Sequence, residues 1–183
     1  SVASYRLRFP DLFQGDVDID SPWKKQVQRG DKGQQQFAAG QVIDRYRLIE
    51  QHATGGFGVV WRAEDERLGR PVALKHLKAS ALSSAELRQR FINEARITAV
   101  LEHPGIVPIH DIGGLEEECP YYTMKFVRGQ SFSHAISKFH QAHLAKEFEG
   151  RSFELLRLLN VFLNVARTVQ YAHANHVIHR DLK

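Results

Sequence analysis

The chain has one cysteine, Cys119, among 183 residues. No disulfide can form within it, which suits a reducing, cytosolic compartment. It has no block of lysine and arginine. The 25 basic residues outnumber the 21 acidic ones by four, and they are spread along the chain as a solvated surface. That excludes a basic stripe of the kind that tracks nucleic acid. No HExxH or CxxC spacing is present, so the ten histidines carry no metal-site signature. His134, His140 and His143 lie near one segment and read as surface residues. No signal peptide is visible, and no apolar run reaches the roughly 20 residues of a bilayer span. The longest, Leu155 to Val169, is broken by Arg157, Asn160, Asn164 and Arg167, and reads as a buried helix. The start at Ser1 and the stop at Lys183 both look like cuts.

What is there is ordinary globular composition, 43% hydrophobic and 25% charged, enough for a real core. Residues 1–41 stand apart. Apart from Tyr5 to Phe13, a candidate helix end or docking turn, Gly15, Gly30, Gly33 and Gly40 stand among acids and glutamines with little to bury, a flexible N-terminal extension. From Val42 the pattern turns to strand. Tyr46 to Gln51, Val60 to Ala63 and Val72 to Leu77 read as a meander, joined by turns at Gly55–Gly58 and at Leu68-Gly-Arg-Pro71. Leu87, Phe91, Ala95, Thr98 and Leu101 recur at helical spacing, with Ser83 and Glu86 as a capping box. Ile106 to Ile112 and Tyr121 to Val127 read as two more strands around a hairpin loop. Everything later is helical: 131–141, then a long helix over 152–175 capped by Ser152, with a short strand at Val177 to His179. Strands with one helix followed by helices make an α+β chain of two lobes.

Three places carry chemistry. Ala53-Thr-Gly-Gly-Phe-Gly-Val-Val60 is a glycine turn between strands: either a plain hairpin or a flap whose backbone N–H groups approach phosphate. Gly58 is followed by Val59-Val60 rather than Lys-Ser, and by strand rather than helix, which excludes a Walker loop and a dinucleotide fingerprint. Lys75 sits in an apolar strand, and Glu94 lies on or beside the apolar face of the next helix. Buried charges need partners, so the economical arrangement pairs them, with Lys75 also holding nucleotide phosphates. His179-Arg180-Asp181-Leu182-Lys183 then puts an aspartate on a loop, where it can take a proton from an attacking hydroxyl.

In this order, the glycine turn, Val72-Ala-Leu-Lys75, Glu94, His103-Pro-Gly-Ile-Val107 and His179-Arg-Asp-Leu-Lys183 resemble the eukaryotic-like (Hanks-type) serine/threonine protein kinases of bacteria. The resemblance covers residues 42–183. Pro120-Tyr-Tyr-Thr-Met-Lys-Phe-Val-Arg-Gly129 and Ile136 to His140 are similar to planctomycete members in particular. It implies a kinase-like α+β fold: an N-lobe over 42–128, with a five-stranded antiparallel sheet and one helix, and a partial C-lobe over 129–183 ending in the catalytic loop. It implies ATP and Mg²⁺ as cofactors, a protein substrate, no nucleic acid, and a cytoplasmic setting, with any membrane anchor downstream.

The resemblance also assigns roles. Ala53, Thr54, Gly55, Gly56, Phe57 and Gly58 form the flap over the phosphates. Val60 and Ala73 hold the adenine from above, with Met124 behind it. Lys75, paired with Glu94, holds the α- and β-phosphates. Lys125 and Val127 offer backbone groups to the base, and Ser131 stands where an acid usually meets the ribose. Asp181 is the catalytic base, Lys183 steadies the γ-phosphate, His179 is structural, and Arg180 meets an activation-loop phosphate. The chain departs from the family at Ala53 for the first flap glycine, at Lys125 for a hinge glutamate and at Ser131. By the resemblance, the catalytic-loop Asn and the Asp-Phe-Gly motif, which hold Mg²⁺, are expected beyond Lys183. The 183 residues alone are therefore expected to be inactive. A pseudokinase scaffold and a small-molecule kinase of related fold are the competing readings.

Overall fold

The alternation that begins at Tyr46 folds as antiparallel sheet. The structure, a computed structural model, describes residues 37–116, 119–144 and 151–179. These fall into two units, 37–95 with 109–126 and 96–108 with 127–179. The expected features of residues 1–36 lie outside the described residues.

In the first unit the strands are β1 (Val42–Ile43), β2 (Tyr46–Thr54), β3 (Gly58–Asp65), β4 (Arg70–Leu77), β5 (Ile109–Gly113) and β6 (Tyr121–Lys125). They form one antiparallel sheet in the order β1-β2-β3-β4-β6-β5. The sheet has six strands instead of the expected five, because the two residues of β1 fold back on β2 through Asp44, whose φ of +52° an aspartate tolerates. The strand expected from Ile106 starts at Ile109. Ile106 N–H is spent on a turn to His103 O, and Pro108 has no N–H to give a ladder.

Period-two alternation sends Leu48, Trp61, Ala63, Val72, Leu74 and Tyr121 to one face, where they form a buried cluster. Phe37 packs on that cluster and meets the His76 ring edge-on at 4.1 Å. Gly40 N–H donates to Leu48 O, and Leu48 N–H to Gln41 O. His76 is buried with both ring nitrogens used: Trp61 Nε1–H donates to Nε2 at 3.1 Å, and Nδ1 lies 2.7 Å from Leu77 O. An indole only donates and a carbonyl only accepts, so the neutral ring with its proton on Nδ1 satisfies both. Burial lowers the His76 pKa below its ordinary value, against the raising effect of the Leu77 carbonyl.

At the end of the sheet, Asp65 has no solvent contact. Its Oδ1 accepts from Arg67 N–H and Leu68 N–H and lies 3.4 Å from Arg45 Nε. That carboxylate sets the β3–β4 turn. Burial and the Asp44 carboxylate, which accepts from the Tyr121 hydroxyl, push the Tyr121 phenol well above its ordinary value.

The opposite face carries a second cluster of Leu77, Ala81, Phe91, Ala95 and Tyr122. Two helices contribute to it, α1 (Ala79–Leu82) and α2 (Ala85–Ala99). The short α1 was not expected from the sequence, and it moves the cap. Ser83 ends α1, and Ser84 caps α2 by accepting from Leu87 N–H at 3.3 Å.

The second unit holds α3 (Phe132–Leu144) and α4 (Arg151–Ala174). Ser131 Oγ accepts from His134 N–H at 3.2 Å and caps α3. Ser152, expected as a cap, lies inside α4, and Val177 to His179 form no strand. Gly105 sits directly against Thr168 of α4. A Cβ there would collide with the Thr168 side chain, so the Pro-Gly turn needs glycine for close approach. His103 stacks on Tyr171 at 5.0 Å between ring centres.

Candidate functional site

Lys75 lies two residues before the end of β4, and its neighbours are set by register. It pairs with Val60 on β3 and with Tyr122 on β6. Ala73 pairs with Met124 in the next row but one. Facing residues in an antiparallel ladder share a side, so Val60, Ala73, Lys75, Tyr122 and Met124 line one face. This is the face that α2 covers with Phe91 and Glu94.

Lys75 Nζ lies 2.6 Å from Glu94 Oε1, with the two side chains only 21% and 12% exposed. The pair expected from the sequence is therefore formed, and it is shielded enough to resist screening that weakens surface ion pairs. The Tyr122 hydroxyl donates to the same Glu94 oxygen at 2.8 Å. The ammonium stands 5.3 Å from the Tyr122 ring and 5.7 Å from the Phe91 ring, within cation–π range of both.

The glycine turn adjoins this pair. Ala53 and Thr54 are still in β2, paired with Val60 and Val59, so a side chain at 53 is accommodated as in any strand. Gly55 N–H donates to Gly58 O at 2.8 Å, and Lys78 N–H to Phe57 O at 2.8 Å. A Cβ on Gly58 would lie 3.0 Å from His76 O and 3.4 Å from Lys75 Cε, so β4 leaves little room for a side chain here and the glycine borders the Lys75 stem. Gly56 is different: a Cβ there meets nothing within 4 Å, and one on Gly55 meets only Gly58 O at 3.7 Å. Neither adopts a left-handed backbone. The folded chain itself makes no demand for glycine at 55 and 56. Gly55 N–H is spent on Gly58 O, so what these two positions offer is bare backbone with no side chain in the way, in a turn whose Gly58 borders the Lys75 stem. That arrangement suits phosphate oxygens.

Residues 46–183 match the protein kinase domain family. The chain belongs to that family. "Serine/threonine-protein kinase PknD" of Chlamydia trachomatis serovar D is 40% identical over 142 residues, covering 77% of this chain and 15% of its own length. "Serine/threonine-protein kinase PknA" of Mycobacterium tuberculosis is 40% identical over 143 residues, covering 76% of this chain and 31% of its own. The chain therefore spans between about one-seventh and one-third of the length of these curated relatives. The crystal structure of the Mycobacterium tuberculosis PknI kinase domain superposes with a TM-score of 0.56 at 25% identity, over 81% of this chain and 56% of that one. The α+β kinase fold is the fold of this chain.

Among the expected site residues, the sheet unit gathers the glycine turn, Val60, Ala73, Lys75, Glu94 and Met124. Lys125 ends β6 opposite Val72, with its side chain exposed. In the helical unit Val127 is half-buried, Ser131 spends its hydroxyl on the α3 cap, and His179 is buried. Arg180, Asp181 and Lys183 lie outside the described residues. Among the described residues no group of three or more His, Cys, Asp or Glu stands together to hold a metal. No helix among them is long and apolar enough to cross a membrane. Sequence reasoning missed Tyr122. Its position two before Met124 puts it on the same strand face, but only the β4–β6 register reveals that it stands beside Lys75.

Proposed function

We propose that this chain supplies the nucleotide-holding part of an ATP-dependent kinase acting on protein serine and threonine hydroxyls, and that the activity resides in a longer parent. The observation that carries this reading is the 2.6 Å Lys75–Glu94 pair, its lysine stem bordered by Gly58 of a turn whose Gly55 and Gly56 the fold does not itself require. In this reading Lys75 binds the α- and β-phosphates while Glu94 orients it. The backbone of Thr54 through Gly58 covers the phosphates. Val60, Ala73 and Met124 form the apolar bed for the adenine, with backbone groups of Lys125 and Val127 at its edge. Asp181 takes the proton of the attacking hydroxyl and Lys183 steadies the transferred group. Ser131 meets the ribose only in so far as its capping bond to His134 allows. Mg²⁺, when bound, would neutralise charge on the β- and γ-phosphates.

Residues 1–183 contain no Asp-Phe-Gly string, and by themselves they are expected to transfer no phosphate. The test uses the complete parent with radiolabelled ATP and a generic protein substrate. Wild type labels serine and threonine, and Lys75→Met lowers kcat/KM about 100-fold or more, the loss expected when a main electrostatic contact to phosphate is removed. Nucleotide binding without transfer by wild type would replace the enzyme with a pseudokinase. Transfer indifferent to Lys75→Met would end the assignment of this site.

A further inference from the structure

Glu94 is held twice. Lys75 Nζ and the Tyr122 hydroxyl meet the same carboxylate oxygen, at 2.6 and 2.8 Å. The two donors are direct cross-strand partners in the β4–β6 ladder, so the sheet sets their spacing before α2 contributes anything. Tyr122 is 3% exposed, and its ring lies 4.9 Å from that of Phe91, one helical turn before Glu94. We infer that Tyr122 is a positioning residue for the phosphate-binding lysine: it ties Glu94 of α2 to the sheet independently of Lys75 and forms, with Phe91, an aromatic wall beside the ammonium.

This inference rests on the kinase reading and deepens it. When Lys75 engages phosphate, its hold on Glu94 is shared with the ligand. An O–H donor to an ionised carboxylate is among the stronger hydrogen bonds, and Tyr122 makes one from inside the sheet. The carboxylate then stays where the lysine needs it, and α2 keeps its place whether or not nucleotide is bound. Lys75 is thereby preorganised, with little rearrangement left for the moment of phosphate binding.

The variant Tyr122→Phe removes the hydroxyl and keeps the ring. In the complete parent it is expected to lower kcat/KM for ATP about tenfold, the size of one charge-assisted hydrogen bond, with the melting temperature nearly unchanged. In a Glu94→Ala background the same substitution is expected to have no further effect, since its partner is gone. A purely structural role would persist in that background. Wild type and Lys75→Met run in the same assay, so loss of the kinase reading is recognised by transfer that ignores Lys75. A second readout needs no turnover: amide exchange in α2 around Glu94 speeds up in Tyr122→Phe. Unchanged exchange together with kcat/KM within twofold of wild type would overturn the inference, as would an undiminished effect of Tyr122→Phe in the Glu94→Ala background.

Discussion

Leu48 and Leu74 in the sheet unit have 0% exposure, whereas Phe153 and Phe162 on α4 keep 69% and 61% of their surface in water. Both regions are rich in apolar residues, and what differs is their period. Along β2, β3 and β4 the alternation gives each strand one set of side chains for each face. α2 and residues from Phe37 onward cover what the strands present. On α4 the apolar residues run around much of the helix. Val161 and Thr168 are buried, while Leu155, Leu156, Leu159 and Leu163 remain exposed beside the two phenylalanines. A helix apolar on most sides is one that is covered on most sides in its working state. The sheet unit reaches that condition within the described residues, and α4 does not.

The largest effect that would sharpen this contrast is a core truncation. Leu74→Ala removes a side chain with no solvent contact and is expected to cost about 2–5 kcal/mol. Phe162→Ala on the exposed face of α4 is expected to stay within about 0.5 kcal/mol. Urea unfolding of the same chain reads both, and equal costs would erase the distinction drawn here. Binding of a dye for exposed apolar surface should fall in the Phe162 variant and not in the Leu74 variant.

A smaller effect separates two parts of the glycine turn. Gly58→Ala forces a Cβ to 3.0 Å from His76 O and is expected to destabilise the sheet unit by about 1–3 kcal/mol. Gly56→Ala meets open space and is expected to leave stability within about 0.5 kcal/mol. If backbone there serves phosphate, fluorescent ATP-analogue affinity in the parent should nonetheless drop for Gly56→Ala. A stability loss at Gly56 as large as at Gly58 would remove the case that the fold makes no demand there.

The gentlest probe is pH. Burial lowers the pKa of His76, and burial with Arg70 nearby lowers that of His110. Below the unfolded value near about 6.5 the unfolded chain takes up protons that these folded imidazoles refuse. Their contribution is complete above that pH and is lost as pH falls through the interval down to the folded values. Melting temperature should therefore decline between pH 7 and 5.5. His76→Gln should flatten the slope and leave the share of His110. A flat profile in wild type would mean that neither imidazole resists protonation.

Five of the six strands, the α2 period, the glycine turn, and the Lys75 and Glu94 candidates were legible in residue order, because each rests on local pattern or on the cost of burying an isolated charge; the two-residue β1 was not, and the short strand expected at Val177 to His179 does not form. The misplacements were local too: Ser84 instead of Ser83 as the cap, because α1 takes up Ser83, and Ile109 instead of Ile106 as the start of β5. What no local pattern contains is register. That Tyr122 stands beside Lys75, that Trp61 and Phe37 converge on His76, and that Gly58 borders the Lys75 stem all depend on how strands far apart in the chain slide against one another. A shift of one residue would turn each side chain to the other face. By itself the sequence determined which residues want burial and which charge needs a partner. The tertiary structure decided who the neighbours are, because ladder hydrogen bonds and core packing across the whole sheet select one alignment that no single segment can choose.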